Sequence, residues 1–338
     1  MTTLLTSTGT SSSASPGVGR GLALSVLRLH RSALWLWLLL VVVLSATMLW
    51  AYGPGFDAAD TEGRERCRAN SEACYFPSGP ALDRYDTAVS YSTLAVACLP
   101  FLVAVWAGAA LIARELETGT AHLAWTQSVS PTRWLAAKLA VPALLITAGS
   151  AVLVPLHRLV WNQDAWLRSV DWFDGSIYPS SGTLPLAYAL CGLALGALAG
   201  LVVGRALPAL GVAFAALLAV FYLANEYRLS LWPTVTVTGA KALNLPDKAL
   251  RLDQGVITDK GTRIGNNMAC TVSDGAADLQ RCLTRSGLDD IWATYHPKSH
   301  YWPLQLAETG VVLAVAALVV TAAFVLLRRR TATEGVAV

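Results

Sequence analysis

The chain has 338 residues, a formal net charge of +3 and only 14% charged residues. Its mean hydropathy is +0.49, and a soluble protein carries about 25% charged residues. A water-soluble globular enzyme is therefore excluded, no nucleic acid is expected as a partner, and a membrane-embedded chain is left.

In chain order, residues 1–17 are rich in Ser, Thr and Gly and read as a disordered tail. Residues 18–32 place Val18, Leu22, Val26 and Leu29 on one helical face, with Arg20, Arg28 and Arg31 away from it. This pattern suits a helix lying in the membrane interface. The alternative is an extension of the first span, which periodicity does not separate from it. Six apolar blocks follow, at 33–52, 91–113, 135–156, 184–203, 206–224 and 303–327. Each has about the twenty residues that an α-helix needs to cross ~30 Å of hydrocarbon. Backbone groups find no water there, so each block must be a helix. The first block is longer than a signal-peptide core and no clear cleavage pattern follows it, so an uncleaved span is expected. The predicted fold class is thus all-α integral membrane. Spans one to five with their loops occupy 33–224, a small extracellular subdomain 225–302, and the sixth span 303–327.

Charge sets the expected orientation. Segments 1–32, 114–138, 204–208 and 328–338 carry ten Lys/Arg and three Asp/Glu, against fifteen and eighteen for the longer segments 53–90, 157–183 and 225–302. Arg328, Arg329 and Arg330 follow the last span directly, so both termini, including the 328–338 tail, are expected in the cytoplasm. Cys67, Cys74, Cys270 and Cys282 then fall outside, an oxidising compartment in which 67–74 and 270–282 are plausible local disulfides. Free thiols are the alternative. No ligand spacing around these cysteines suggests a metal site.

The outside loop 53–90 is punctuated by Gly53-Pro54-Gly55. Segment 157–183 clusters Trp161, Trp166, Trp172 and Phe173, which reads first as an aromatic belt at the membrane surface and otherwise as a ligand contact. The fourth span repeats Gly192, Gly196, Gly200 and Gly204 at four-residue spacing, a stripe on which another helix can pack closely, from this chain or from a second subunit. Pro100, Pro142 and Pro155 fall within spans, where each removes one ladder bond and introduces a kink for gating or for packing. Segment 225–302 alternates short apolar runs such as 234–237 with turn residues and reads as a small mixed subdomain braced by Cys270 and Cys282.

Residues 114–134 carry the most information. The second span overruns the membrane and stops at Gly119, a favoured helix terminator. A short helix follows, and Ser130-Pro131 starts the third span with a capping residue and a proline at the first position. Leu123, Trp125, Val129 and Trp134 give this connection more apolar surface than a bare linker needs. Among ionisable groups in the spans, Lys138 is expected to snorkel to the headgroups. Glu308, one turn into the last span, is either a structural hydrogen-bonded carboxyl or a residue of a transport pathway.

The stretch Glu117-x-Gly119-Thr120, then 125–130 (Trp-Thr-Gln-Ser-Val-Ser), then Arg133-Trp134 and Lys138, resembles the coupling segment of ABC-type exporter permeases, the type-2 permease family, in its actinobacterial branch. The run 295–297, 301–305 and Glu308 is similar to the start of the last span in that branch. Pro131 departs from the family pattern, in which many members carry Arg. The resemblance implies a homodimer or heterodimer of six-span subunits in the bacterial plasma membrane. It implies a separate cytoplasmic ATPase docked on Glu115, Glu117, Gly119, Thr120, His122, Trp125, Gln127 and Arg133. ATP and Mg would be bound by that partner and no cofactor by this chain, which has no Gly-x4-Gly-Lys-Ser/Thr phosphate loop. Efflux of an amphiphilic or peptide-like substrate is the implied activity, and catalysis by the chain itself is not expected. The competing reading is a non-transporting sensor or immunity protein that binds a ligand through its extracellular loops.

Overall fold

The computed structural model describes residues 21, 26–69, 78–126, 129–163, 167, 170–265 and 276–334. Among the described residues, six helices are long and apolar enough to cross a membrane: Arg31–Ala69, Pro80–Glu117, Pro131–Gln163, Leu184–Val203, Ala206–Ser230 and Lys298–Ala332. The predicted tail 1–17 and most of the predicted interfacial helix lie outside the described residues. Of that helix's apolar face, Val26 is buried and Leu29 is exposed.

Several helices run past the apolar blocks. Gly53-Pro54-Gly55 does not end the first span. The chain widens into a π-helical segment, Ala51–Gly55, and continues as an α-helix over Phe56–Ala69. Pro54 has no N–H to donate, and the wider turn absorbs that loss without stopping the helix. The next helix starts at Pro80, where the Glu62 carboxylate accepts the N–H of Ala81 at 2.7 Å. Much of the segment expected as a loop is therefore a helical hairpin. Its base is a cluster of Met48, Ala51, Ala59, Leu82, Tyr85 and Val89.

The fourth span is the centre of the bundle and packs against the second, third, fifth and sixth. Its small residues explain this. A Cβ on Gly192 would lie 2.6 Å from the Pro100 carbonyl oxygen, and one on Gly196 would lie 2.5 Å from that of Ala104. At Gly200 it would meet the Ile112 Cβ at 2.8 Å. All three glycines face the second span of the same chain, so main chains touch where side chains would hold them apart. Gly204 does not belong to this contact. Nothing lies within 4 Å of its would-be Cβ, and its φ of +65° makes it the left-handed cap of the fourth span. The Arg330 guanidinium donates to the carbonyls of Leu201 and, at 3.3 Å, Val202, so the last turn's free acceptors are used.

The 2–3 and 4–5 turns and the described terminal ends lie together at one end of the bundle, here the turn end. The opposite end carries a four-stranded antiparallel sheet of β1 (Val235–Thr238), β2 (Leu250–Thr258), β3 (Arg263–Gly265) and β4 (Leu288–His296), in the order β1-β4-β2-β3. The helix Ala276–Arg285 and the turn Ala240–Leu243 cover it through Leu283 and Ala242, which pack on Val256, Ile291 and Ala293. The small subdomain between the last two spans is thus a sheet, and the rest of the chain is mainly helical. Trp172 is not in a surface belt. It is 1% exposed, its indole N–H donates to the Lys248 carbonyl at 2.8 Å, and its ring packs on Tyr178 and Tyr301. Trp166 lies outside the described residues. Cys67 and Cys282 are disulfide-bonded. The partners expected for them, Cys74 and Cys270, lie outside the described residues. Cys98 and Cys191 are free.

Candidate functional site

The turn between the second and third spans is built from three local decisions. Thr118 closes the helix end, its N–H and hydroxyl both donating to the Arg114 carbonyl, at 3.0 and 2.8 Å. Gly119 then reverses the chain at φ +72°, a conformation that glycine adopts without penalty. After the short helix Thr120–Thr126, the Ser130 hydroxyl accepts the Arg133 N–H at 3.4 Å, and Pro131 begins the third span. His122, Leu123, Thr120 and Arg133 face outward. Trp125 turns inward, edge-on between His122 at 4.8 Å and Trp134 at 5.6 Å. Gln127 lies outside the described residues.

Glu115 is not on the outward face either. It sits at the head of the second span and pairs with Lys138 of the third, a lysine with 3% of its side chain exposed. Its second oxygen accepts the Trp134 indole N–H at 3.1 Å. Lys138 therefore does not reach for headgroups, because a carboxylate is already within its grasp inside the bundle. The same ammonium donates to His30 Nε2 at 3.1 Å, so the neutral imidazole carries its proton on Nδ1. Burial, and then the Lys138 charge, push the His30 pKa down to about 4, against a smaller opposing pull from Glu115. His30 also meets Trp106 edge-on at 5.5 Å. Two residues further on, Glu117 accepts the Ala206 N–H at 2.9 Å at the start of the fifth span, where a carboxylate also suits the helix dipole. Two carboxylates thus tie the end of the second span, just before the short helix, to the third and fifth spans, and through Lys138 to the start of the first.

Directly before the Arg114–Glu117 end, the second span contains a π-helical segment, Ala107–Ala113. Its Gly108 lies against Ala209 and Ala213 of the fifth span. Such segments interrupt the α ladder and concentrate at functional positions.

At the sheet end, Glu308 is 1% exposed and fully engaged. One oxygen accepts the Tyr188 hydroxyl at 2.6 Å, the other the Arg228 Nε at 3.0 Å. The Arg228 guanidinium stacks over the Tyr178 ring at 4.1 Å, and Gln305 donates to the Tyr178 carbonyl at 3.0 Å. Glu308 is thus half of a buried ion pair between the fifth and sixth spans. Sequence reasoning missed Arg228 because the fifth helix was taken to stop at 224, whereas it runs through Tyr227 into a 3-10 turn, Arg228–Ser230. His296 and His300 share a hydrogen bond, Nδ1 to Nδ1, at 2.9 Å. Among the described residues no group of three or more potential metal ligands occurs.

A family model described as ABC-2 membrane transporter related matches residues 38–228, more than half of the chain. The match contains the whole 115–134 turn, the glycine stripe and Arg228, and it stops before the sheet and the last span. No curated protein and no solved structure matches the chain.

Proposed function

The chain belongs to the ABC-2 membrane transporter related family, and from that premise we propose that it is the permease subunit of an ATP-driven exporter. Membership makes it a multi-pass membrane component of a transporter. Beyond that, the reading is that a cytoplasmic ATPase docks on the exposed face of the short helix 120–126, that ATP and Mg bind to that partner, and that two six-span subunits form the working unit. The turn end then faces the cytoplasm, the cargo is an amphiphile or a peptide-like molecule, and it moves toward the sheet end. In this reading 67–74 and 270–282 are disulfides on the outer side.

The observation that carries the reading is the pair of ties at Glu115 and Glu117. The end of the second span, which carries the short exposed helix, is fixed by these carboxylates to two further spans, so a push on that helix is delivered to the bundle as a whole. A connecting loop with no mechanical role needs neither tie. The test is purification of the full chain in mild detergent, followed by reconstitution with the ATPase that accompanies it. A phosphate-loop ATPase should stay bound, and Leu123→Asp with Arg133→Glu should release it. Glu117→Ala should keep the ATPase bound and lower the stimulation of ATP turnover by the permease. If no ATPase stays bound to the wild type, a ligand-binding membrane sensor is the better reading.

A further inference from the structure

Two histidines at the sheet end share a hydrogen bond whose direction their surroundings fix. His296 ends β4, the strand that pairs with both β1 and β2, and it is fully buried. Its Nε2 lies 3.0 Å from the Leu229 carbonyl, in the turn that ends the fifth span. A carbonyl only accepts, so Nε2 carries the proton and Nδ1 of the neutral ring is bare. His300 ends the 3-10 turn Lys298–His300, which leads into the last span. Its Nδ1 lies 2.9 Å from that of His296 and must be the donor. The Nε2 of half-buried His300 has no hydrogen-bond partner among the described residues. The two bonds together tie the sheet, the end of the fifth span and the start of the sixth. Leu229 adjoins Arg228, whose guanidinium holds Glu308 of the last span.

Proton uptake acts on the two rings unequally. A first proton goes to the free Nε2 of His300, and the imidazolium still donates through Nδ1. A second proton has only His296 Nδ1 left to take. Two N–H groups on two cations would then face each other across 2.9 Å, and the bond has to open. Neighbouring charge does not relieve this. Neither ring makes an ion pair with a carboxylate among the described residues. Arg228 and Glu308 neutralise each other on the last two spans, and Arg158 of the third stacks on Trp302. On β2, Leu250 faces His296 in register, Arg251 bonds Gln254, and Asp247 and Lys248 just before the strand are exposed. β1 carries no charge, and the Asp174 carboxylate of the 170–183 segment takes the Asp171 N–H. Lys298, in the histidines' own turn, is exposed and adds a like charge.

We propose that His296 and His300 form a proton-operated latch between the sheet and the last two spans, closed with no added proton or one, and open with two. The latch holds the start of the last span against the sheet in neutral surroundings and frees it in acid. It does not depend on the export reading, since it needs neither an ATPase nor a cargo.

The test uses the full chain in a neutral detergent with isotope-labelled histidine. At about pH 7.5 the ring-nitrogen shifts should show a protonated Nε2 on His296 and a protonated Nδ1 on His300, assigned with His296→Asn and His300→Asn. Hydrogen exchange over residues 296–306, corrected for its intrinsic pH dependence, should quicken by about tenfold or more between about pH 7.5 and 5. Exchange in Leu184–Val203 should not change, which separates a local opening from unfolding. In His300→Asn the amide stands where Nδ1 stood and can turn either its N–H or its oxygen to His296. It bonds a neutral or a protonated His296 alike, so the latch should stay closed and the rise in acid should vanish. If His300→Asn fails to fold, His300→Ala, which has no group to bond, is read instead and should exchange fast at both pH values. The reverse tautomers, no rise in the wild type, or a rise that persists in the folded variant would each overturn the proposal.

Discussion

Replacing Glu115 by Gln removes one charge and almost nothing else. The amide oxygen can still accept the Trp134 indole N–H, so what is lost is the countercharge of Lys138. That ammonium has 3% of its surface exposed, and a buried pair broken from one side costs about 3–5 kcal/mol, because the surviving charge keeps its desolvation penalty without its partner. Lys138→Met should cost a similar amount by stranding the carboxylate. The double variant Glu115→Gln/Lys138→Met has no buried charge left and should fall within about 1 kcal/mol of the wild type. The non-additivity is then about 5 kcal/mol or more, beyond the ~0.5–3 kcal/mol usual for neighbouring side chains. Reversible unfolding in mixed micelles, followed by tryptophan fluorescence, measures all four corners of the cycle. A Glu115→Gln variant within about 0.5 kcal/mol of the wild type, or two single effects that simply add, would refute the burial argument.

Further outcomes follow from other residues of the bundle. Gly196→Ala forces a methyl to within 2.5 Å of the Ala104 carbonyl and should cost about 1–3 kcal/mol, measured in the same micelle assay. Gly204→Ala meets no neighbour and should cost only the ~1 kcal/mol of a left-handed backbone. Glu308→Gln strands the buried Arg228 and should destabilise by about 3–5 kcal/mol, whereas Tyr188→Phe removes one hydrogen bond and should cost about 1–3 kcal/mol. His30 has its pKa pushed down to about 4 in the folded chain, below its ordinary 6.5, so the unfolded chain binds more protons between those values. Its contribution is therefore complete above about pH 6.5 and is lost as pH falls toward 4. His30→Gln should flatten the fall in thermal stability between pH 7 and 5, and an unchanged slope would contradict the assignment.

The spans were legible because about twenty apolar residues in a row admit one structure in lipid. Their ends were not. Gly53-Pro54-Gly55 has the composition of a turn, and the π-helical segment that lets the helix pass through it depends on packing against Tyr85 and its neighbours, many residues away. The glycine stripe was visible in its spacing, but the spacing gave four equivalent positions. The structure separates Gly204, which turns the chain, from three glycines that receive the second span.

Side-chain partners were the least legible part. Lys138 near a span end looks like a snorkelling lysine until Glu115 is seen beside it, 23 residues back in the chain. Glu308 pairs with Arg228 across 80 residues, and nothing local to either residue announces the other. Of the four strands, only the run around Val235–Thr238 had an alternating pattern that sequence reasoning picked out. β4 carries Asp289 and Asp290 at its start and takes its place in the sheet through pairing with both β1 and β2. Within the 115–134 turn the side-chain partners were not legible from position along the chain. Glu115 is paired inside the bundle, whereas Glu117 is exposed together with Thr120, His122, Leu123 and Arg133 while accepting a main-chain N–H of the fifth span.

The most direct measurement places a photo-crosslinking residue at exposed His122 in the full chain and irradiates intact cells. The account predicts a crosslink to a phosphate-loop ATPase and protection of the same position from a membrane-impermeant label added outside. Labelling of position 122 from the exterior, with no ATPase adduct, would contradict it.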